Sequence, residues 1–168
     1  MSSRSLASVE TQKPLKAADV SLHEGNDLRA RIWAINLDGP KHKLVVEKGW
    51  SLATADQAEL SYKQFLYMNA RYPSAGFVPT KLVDMIWHEH ILDTAAYAED
   101  CDRIFGRFLH HFPYFGLRGA EDAQKLTDAF AETRRAFIAE LGIDPAQSTT
   151  VQLRPIPAAH AAVPDEAG

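Results

Sequence analysis

PTKLVDMIWHEHILDTAAYAEDCDRIF, residues 79–105, decides the fold. Leu82, Val83, Ile86 and Trp87 recur at helical spacing, so a helix opening at Pro79-Thr80 carries one apolar face. Asp93 stands before Thr94, where its carboxylate can cap a second helix running to about Phe105. Two short helices in succession, with no alternating strand pattern in or around them, point to an all-α chain.

The flanks extend the same pattern. Leu126, Phe130, Thr133, Phe137 and Leu141 fall at i, i+4, i+7, i+11 and i+15, and Gly142 ends that helix. Between it and Phe105, the segment from His110 to Gly119 is rich in aromatic residues, Pro and Gly, and reads as an ordered loop. Upstream, Thr54-Ala55-Asp56-Gln57 is a capping-box pattern. The helix it opens should run to about Arg71, before Pro73, and bury Leu60, Phe65, Leu66 and Met68 in part. A short helix through Leu44, Val45 and Val46 precedes it and stops near Gly49. Asp27 to Leu37, with Leu28, Ile32 and Ile35 at helical spacing, makes a further helix, and Asp38-Gly39-Pro40 breaks the chain after it, with Pro40 suited to a first helical turn. The expected architecture is an irregular all-α bundle of about five or six short helices with an ordered aromatic loop.

Residues 21–142 form the single helical domain. Residues 1–20 are Ser/Thr/Lys-rich without apolar periodicity and read as a flexible arm. Residues 143–168, rich in Pro, Ala and small polar side chains, read as a disordered tail, which places His160 outside any folded site. The 168 residues, 46% hydrophobic and 24% charged, match an ordinary soluble globular protein. A net charge of -4 and the lack of any basic run speak against nucleic acid as a partner. The lone cysteine cannot form an internal disulfide, which suits a reducing compartment. The first residues lack the apolar core of a secretory signal, and no stretch nears the ~18 apolar residues of a membrane span. A cytoplasmic protein without a membrane partner is expected.

The central stretch also concentrates chemistry. Four of the seven histidines lie within it or just beyond as two pairs, His88/His90 and His110/His111. Cys101 lies between the pairs, among several carboxylates. Imidazole, thiolate and carboxylate are the groups that bind transition metals or move protons. Asp84 and His88 are one helical turn apart, so the carboxylate either shares a metal with His88 or holds one imidazole nitrogen. His90 lies about 200° further round an ideal helix and shares a site with His88 only if the chain unwinds near Asp93. If the helix instead continues, His90, Thr94, Tyr97 and Cys101 form a stripe of their own; the break at Asp93 is the favoured geometry. His110 and His111, in a loop, can be aimed freely, and the aromatic segment after them should fold back and close the site. One of them, with His88 or His90 and a carboxylate, makes a three-ligand centre with an open position. The expected ligands are thus His88, His90, His110 and His111, and the expected cofactor is a divalent transition metal, Zn, Fe or Cu.

Each residue has a plainer reading. His88 can be an imidazole beside Trp87, hydrogen-bonded to Asp84. Glu89, Asp100 and Asp102 suit solvated helix faces. Cys101 suits a small core hydrophobe, and Tyr97, Tyr114 and Phe115 suit packing. The HExxH, CxxC and GxGxxG motifs are absent.

Asp84-x-x-Trp87-His88-x-His90-x-Leu92, followed by Tyr97, Asp100-Cys101, Phe105-Gly106 and Leu109-His110-His111-x-Pro113, resembles the signature of the glycine-rich domain-containing-protein-like family. The resemblance covers about Leu28 to Leu141 and implies a short bacterial form, without the glycine-rich tail of the larger plant members. It names no reaction. The candidate catalytic side chains, Asp84, Tyr97 and Cys101, all lie inside this motif.

Three functions fit these residues. The first is a metal-binding helical protein, extending to a metal-dependent enzyme that acts on a small molecule or peptide through water or dioxygen activated at the open position. The second is a non-catalytic scaffold that recruits a protein partner, its histidines forming a buried polar network. The third is a metal-free enzyme with Cys101 as nucleophile and a histidine as base. The first is the reading adopted.

Overall fold

The structure, a computed structural model, describes residues 22–147. Among them are six helices and no strands: α1 (Leu22–Trp33), α2 (Asp38–Lys48), α3 (Leu52–Arg71), α4 (Lys81–Leu92), α5 (Thr94–Phe105) and α6 (Ala120–Leu141). The expected arm, 1–20, and most of the expected tail, 148–168, lie outside the described residues. Where the tail is described, Asp144 accepts a hydrogen bond from the Ala146 amide at 3.0 Å and pairs with Arg134 of α6 at 2.5 Å.

Two helix starts depart from the sequence reading. Pro40 lies in a first helical turn as expected, where proline lacks only an amide that has no helical partner, but Asp38 and Gly39 are already part of that turn of α2 and not a break before it. The break comes earlier, after Trp33. The apolar spacing runs on past it because Ile35 and Leu37 in the connection are themselves buried. α3 begins at Leu52, and its cap is Ser51 rather than Thr54. The Ser51 hydroxyl accepts from the Thr54 amide at 3.0 Å, so Thr54 is the residue being capped. Leu60 turns outward at 42% exposure, while Phe65, Leu66 and Met68 are buried.

The central region follows its sequence signals. Thr80 caps α4, its hydroxyl accepting from the Val83 amide at 3.3 Å. Asp93 closes α4 and opens α5, its carboxylate facing the Ala96 amide at 3.5 Å. Gly142 ends α6 in the left-handed conformation at φ 68°.

α3 and α4 form the central pair, with α1 and α2 packed on α3, α2 also on α4, and α5 on α4 and α1. Ile32, Leu44, Tyr62, Leu66 and Ile86 fill the space between them with essentially no exposed surface. Each such side chain contributes about 1.5–3 kcal/mol by leaving water. α6 lies at the periphery. It is held by Phe137, whose ring meets Phe77 edge-on at 5.9 Å, and by Thr133, whose hydroxyl accepts from the Val78 amide at 3.0 Å. No described helix is long and apolar enough to cross a membrane.

Candidate metal centre

α4 stays helical across residues 81–92, and that regularity sorts its histidines. Asp84 and His88 share one face; Trp87 and His90 point into the core. His111, in the loop after α5, comes down on the Asp84 face. Its Nε2 lies 2.7 Å from Asp84 Oδ1, and the His88 Nδ1 lies 3.6 Å from Asp84 Oδ2. The two imidazole rings approach to 4.5 Å between centroids. One ligand atom from each of Asp84, His88 and His111 lies within 4.8 Å of the other two. Side-chain exposures of 10% for His111, 34% for Asp84 and 45% for His88 place the group at a lip between core and solvent.

Two anchors hold the loop that carries His111. The first is a buried chain of hydrogen bonds. Trp87 Nε1 donates to the Tyr97 hydroxyl at 2.9 Å, and that hydroxyl donates to the Leu109 carbonyl at 2.5 Å. Trp87 also meets the His111 ring nearly edge-on, at 4.5 Å and 71°. The second anchor is Asp122, in the first turn of α6. It accepts from the amides of Gly116 and Arg118 at 2.7 and 3.2 Å and pairs with the Arg118 guanidinium at 2.6 Å. The Arg118 hydrogen bond holds the Asp122 carboxyl below its ordinary value against the opposing effect of desolvation. Gly116 adopts φ 88°, and a β-carbon there would overlap Leu126 Cδ2, so the turn requires glycine.

Between this loop and the segment leading into α4 runs a cleft of about 680 Å³. Phe112, Phe115 and Leu117 line it from the loop, and Phe77, Val78 and Pro79 from the opposite side. Lys81, Asp84, His88 and His111 are the charged and imidazole side chains of its lining. The aromatic loop thus walls the site on one side and leaves it open on the other.

The remaining expected residues lie elsewhere. His90 is 2% exposed, with Nδ1 3.1 Å from the Tyr62 hydroxyl. Its Nε2 sits 3.2 Å from Asp100 Oδ2, off the direction needed for a hydrogen bond. Burial pulls the imidazole below its ordinary value, opposed by Asp100, and so favours the neutral ring. The physical reason His90 does not join His88 is the unbroken turn between them. His110 is exposed and turns toward Phe108, ring to ring at 5.0 Å. Tyr97 is a buried bridge, its hydroxyl raised well above the ordinary value by desolvation. Cys101 is 2% exposed, and burial pushes its thiol up, a setting that disfavours the thiolate.

Two carboxylates read as solvated faces are instead engaged. Glu89 pairs with Lys43 of α2 at 2.7 Å, and Asp100 pairs with Arg103. Sequence reasoning did not reach Asp122. Its only local signals were an i,i+4 spacing from Arg118 and a place in the first turn of α6. Nothing local linked Tyr62 to His90.

The fold and site together define an all-α protein with a candidate Asp–His–His metal centre beside an apolar cleft. The chain belongs to the UCP032817-like family, whose model matches residues 41–154. Its sequence is also similar to glycine-rich domain-containing protein 1 of Arabidopsis thaliana, 37% identical over 81 residues. That match covers 46% of this chain and 10% of the plant protein, so the chain spans about a tenth of that relative's length. The relative is a plant protein, and the expectation of a bacterial form draws no support from it. No solved structure matches.

Proposed function

We propose that the protein binds a divalent transition metal through Asp84, His88 and His111, and that the ion serves a reaction on a small molecule or peptide held in the adjoining cleft. The observation that carries this reading is the approach of the three ligand atoms to within 4.8 Å of one another in the cleft lining. Two imidazoles and one carboxylate are a donor set used by catalytic zinc and by non-haem iron, and both keep coordination positions open. All three residues also line the cleft. A metal there would polarise a bound water or activate dioxygen. Asp84 and His88 ride on a rigid helix, and His111 is steadied by Trp87 and by the Tyr97–Leu109 bridge. Zn, Fe and Cu all suit this donor set.

The test is elemental analysis of protein purified without a histidine tag. Stoichiometric Zn, Fe or Cu is expected in the wild type, and its loss in Asp84→Asn and His111→Gln. Metal-free wild-type protein whose melting temperature ignores a chelator would overturn the reading.

One observation favours a second reading. The 2.7 Å Asp84–His111 contact and the Trp87–Tyr97–Leu109 chain order the loop without an ion. In a non-catalytic module of that kind, exposed Phe112, Tyr114 and Leu117 would meet a protein partner. His111→Gln would then lower the melting temperature while metal content stayed near zero in both proteins.

A further inference from the structure

We propose that the cleft takes an amphipathic carboxylate, with its acid group on Lys81, its apolar body along Phe112, Phe115 and Leu126, and its reacting end at the metal. The inference rests on the metal-binding reading above and adds the substrate class.

Three observations converge on it. First, Lys81, Asp84 and His88 stand at i, i+3 and i+7, one strip of α4, and all three line the cleft. Along the helix axis Lys81 is roughly 5 Å from Asp84 and roughly 10 Å from His88. An acid group and a reacting atom a few bonds apart can therefore reach Lys81 and the ion together. Second, Asp84 is the one acidic residue in the described lining, and Lys81 pairs with no carboxylate among the described residues. With a divalent ion in place, a single carboxylate faces the ion's two charges and an ammonium. The cleft is then cationic and attracts an anion that enters. A neutral ligand would leave that charge unanswered. Third, a second hollow of about 540 Å³ adjoins the first. Val78, Pro79, Lys81 and Leu126 are common to both, and Phe130 lines the second. Lys81 thus borders two hollows with largely apolar linings, which suits an acid carrying hydrocarbon or aromatic bulk.

The test uses the full chain loaded with cobalt(II), with metal uptake followed by visible absorption and binding of each probe by titration calorimetry. The probes are 3-phenylpropanoate and its neutral analogue 3-phenylpropanamide. Wild type should bind the acid at least about tenfold more tightly than the amide. Lys81→Met should erase that preference while still taking up cobalt, and Lys81→Arg should keep it. Equal binding of acid and amide, or a preference that survives in Lys81→Met, would overturn the carboxylate assignment and leave the metal centre standing. A chain that takes up no cobalt would overturn the metal reading and this one with it.

Discussion

At the scale of single residues, Tyr97 shows how far a side chain's role can sit from the chemistry its type suggests. Its hydroxyl joins three segments: α4 through Trp87, α5 through its own backbone, and the His111 loop through the Leu109 carbonyl. Tyr97→Phe leaves a buried indole N–H and a buried carbonyl without partners. That should cost about 2 kcal/mol or more, measured by denaturant unfolding. It should also weaken metal binding, although Tyr97 touches no ligand atom, because His111 loses part of its support. Unchanged stability in Tyr97→Phe would show that the bridge carries little. The Asp84–His88 pair was legible in the sequence, since i,i+4 spacing on a helix fixes proximity. The choice of His111 over His110 was not, because adjacent loop residues share no periodicity that says which one turns inward. The separation of His90 from His88 was legible as an angle, and only the unbroken helix decided it. The partnership of His90 with Tyr62 spans 28 residues and two helices, which local pattern does not encode.

At the scale of elements, the loop between α5 and α6 depends on a salt-bridged carboxylate. Asp122 ties Gly116 and Arg118 to the start of α6, and its folded carboxyl is held below the unfolded value of about 3.9. A depressed carboxyl stabilises the folded form above the unfolded pKa, and that contribution is lost as pH falls through the lower folded value. Amide protection of Gly116 and Arg118, followed by NMR hydrogen exchange, should therefore hold near neutrality and fall below about pH 4. Asp122→Asn should flatten the step. A step that persists in the variant would assign it to another group. Helix existence was the most legible property at this scale, because caps and apolar spacing are local. Starts were less so: Ser51 and Thr54 are both competent caps three residues apart, and Thr54 is buried inside the first turn, which leaves the cap to Ser51. Asp38-Gly39-Pro40 marked the first turn of α2 through Pro40 but not the break, which falls after Trp33, since residues that break one helix also suit the first turn of the next.

At the scale of the whole molecule, the bundle divides unevenly. α1 to α5 share the α3–α4 core, whereas α6 is fastened by a few contacts: Thr133 to Val78, Phe137 on Phe77, and the Tyr72 hydroxyl donating to Glu140. Amides of α6 should exchange through a partial opening at lower free energy than those of α3 and α4. Native-state hydrogen exchange across a denaturant series measures this, and a single opening isotherm for all helices would refute it. About five or six helices could be read from the chain, but not their neighbours, since an apolar stripe says that a face is covered and not by what. α6 also supplies Leu126 to the cleft wall. The edge-on contact of Trp87 with His111 has a practical corollary. Indole emission is sensitive to whatever an abutting imidazole carries, and the protein therefore contains its own optical gauge of the site. Trp33 and Trp50, the other two indoles, sit on α1 and just before α3, where they can serve as an internal baseline.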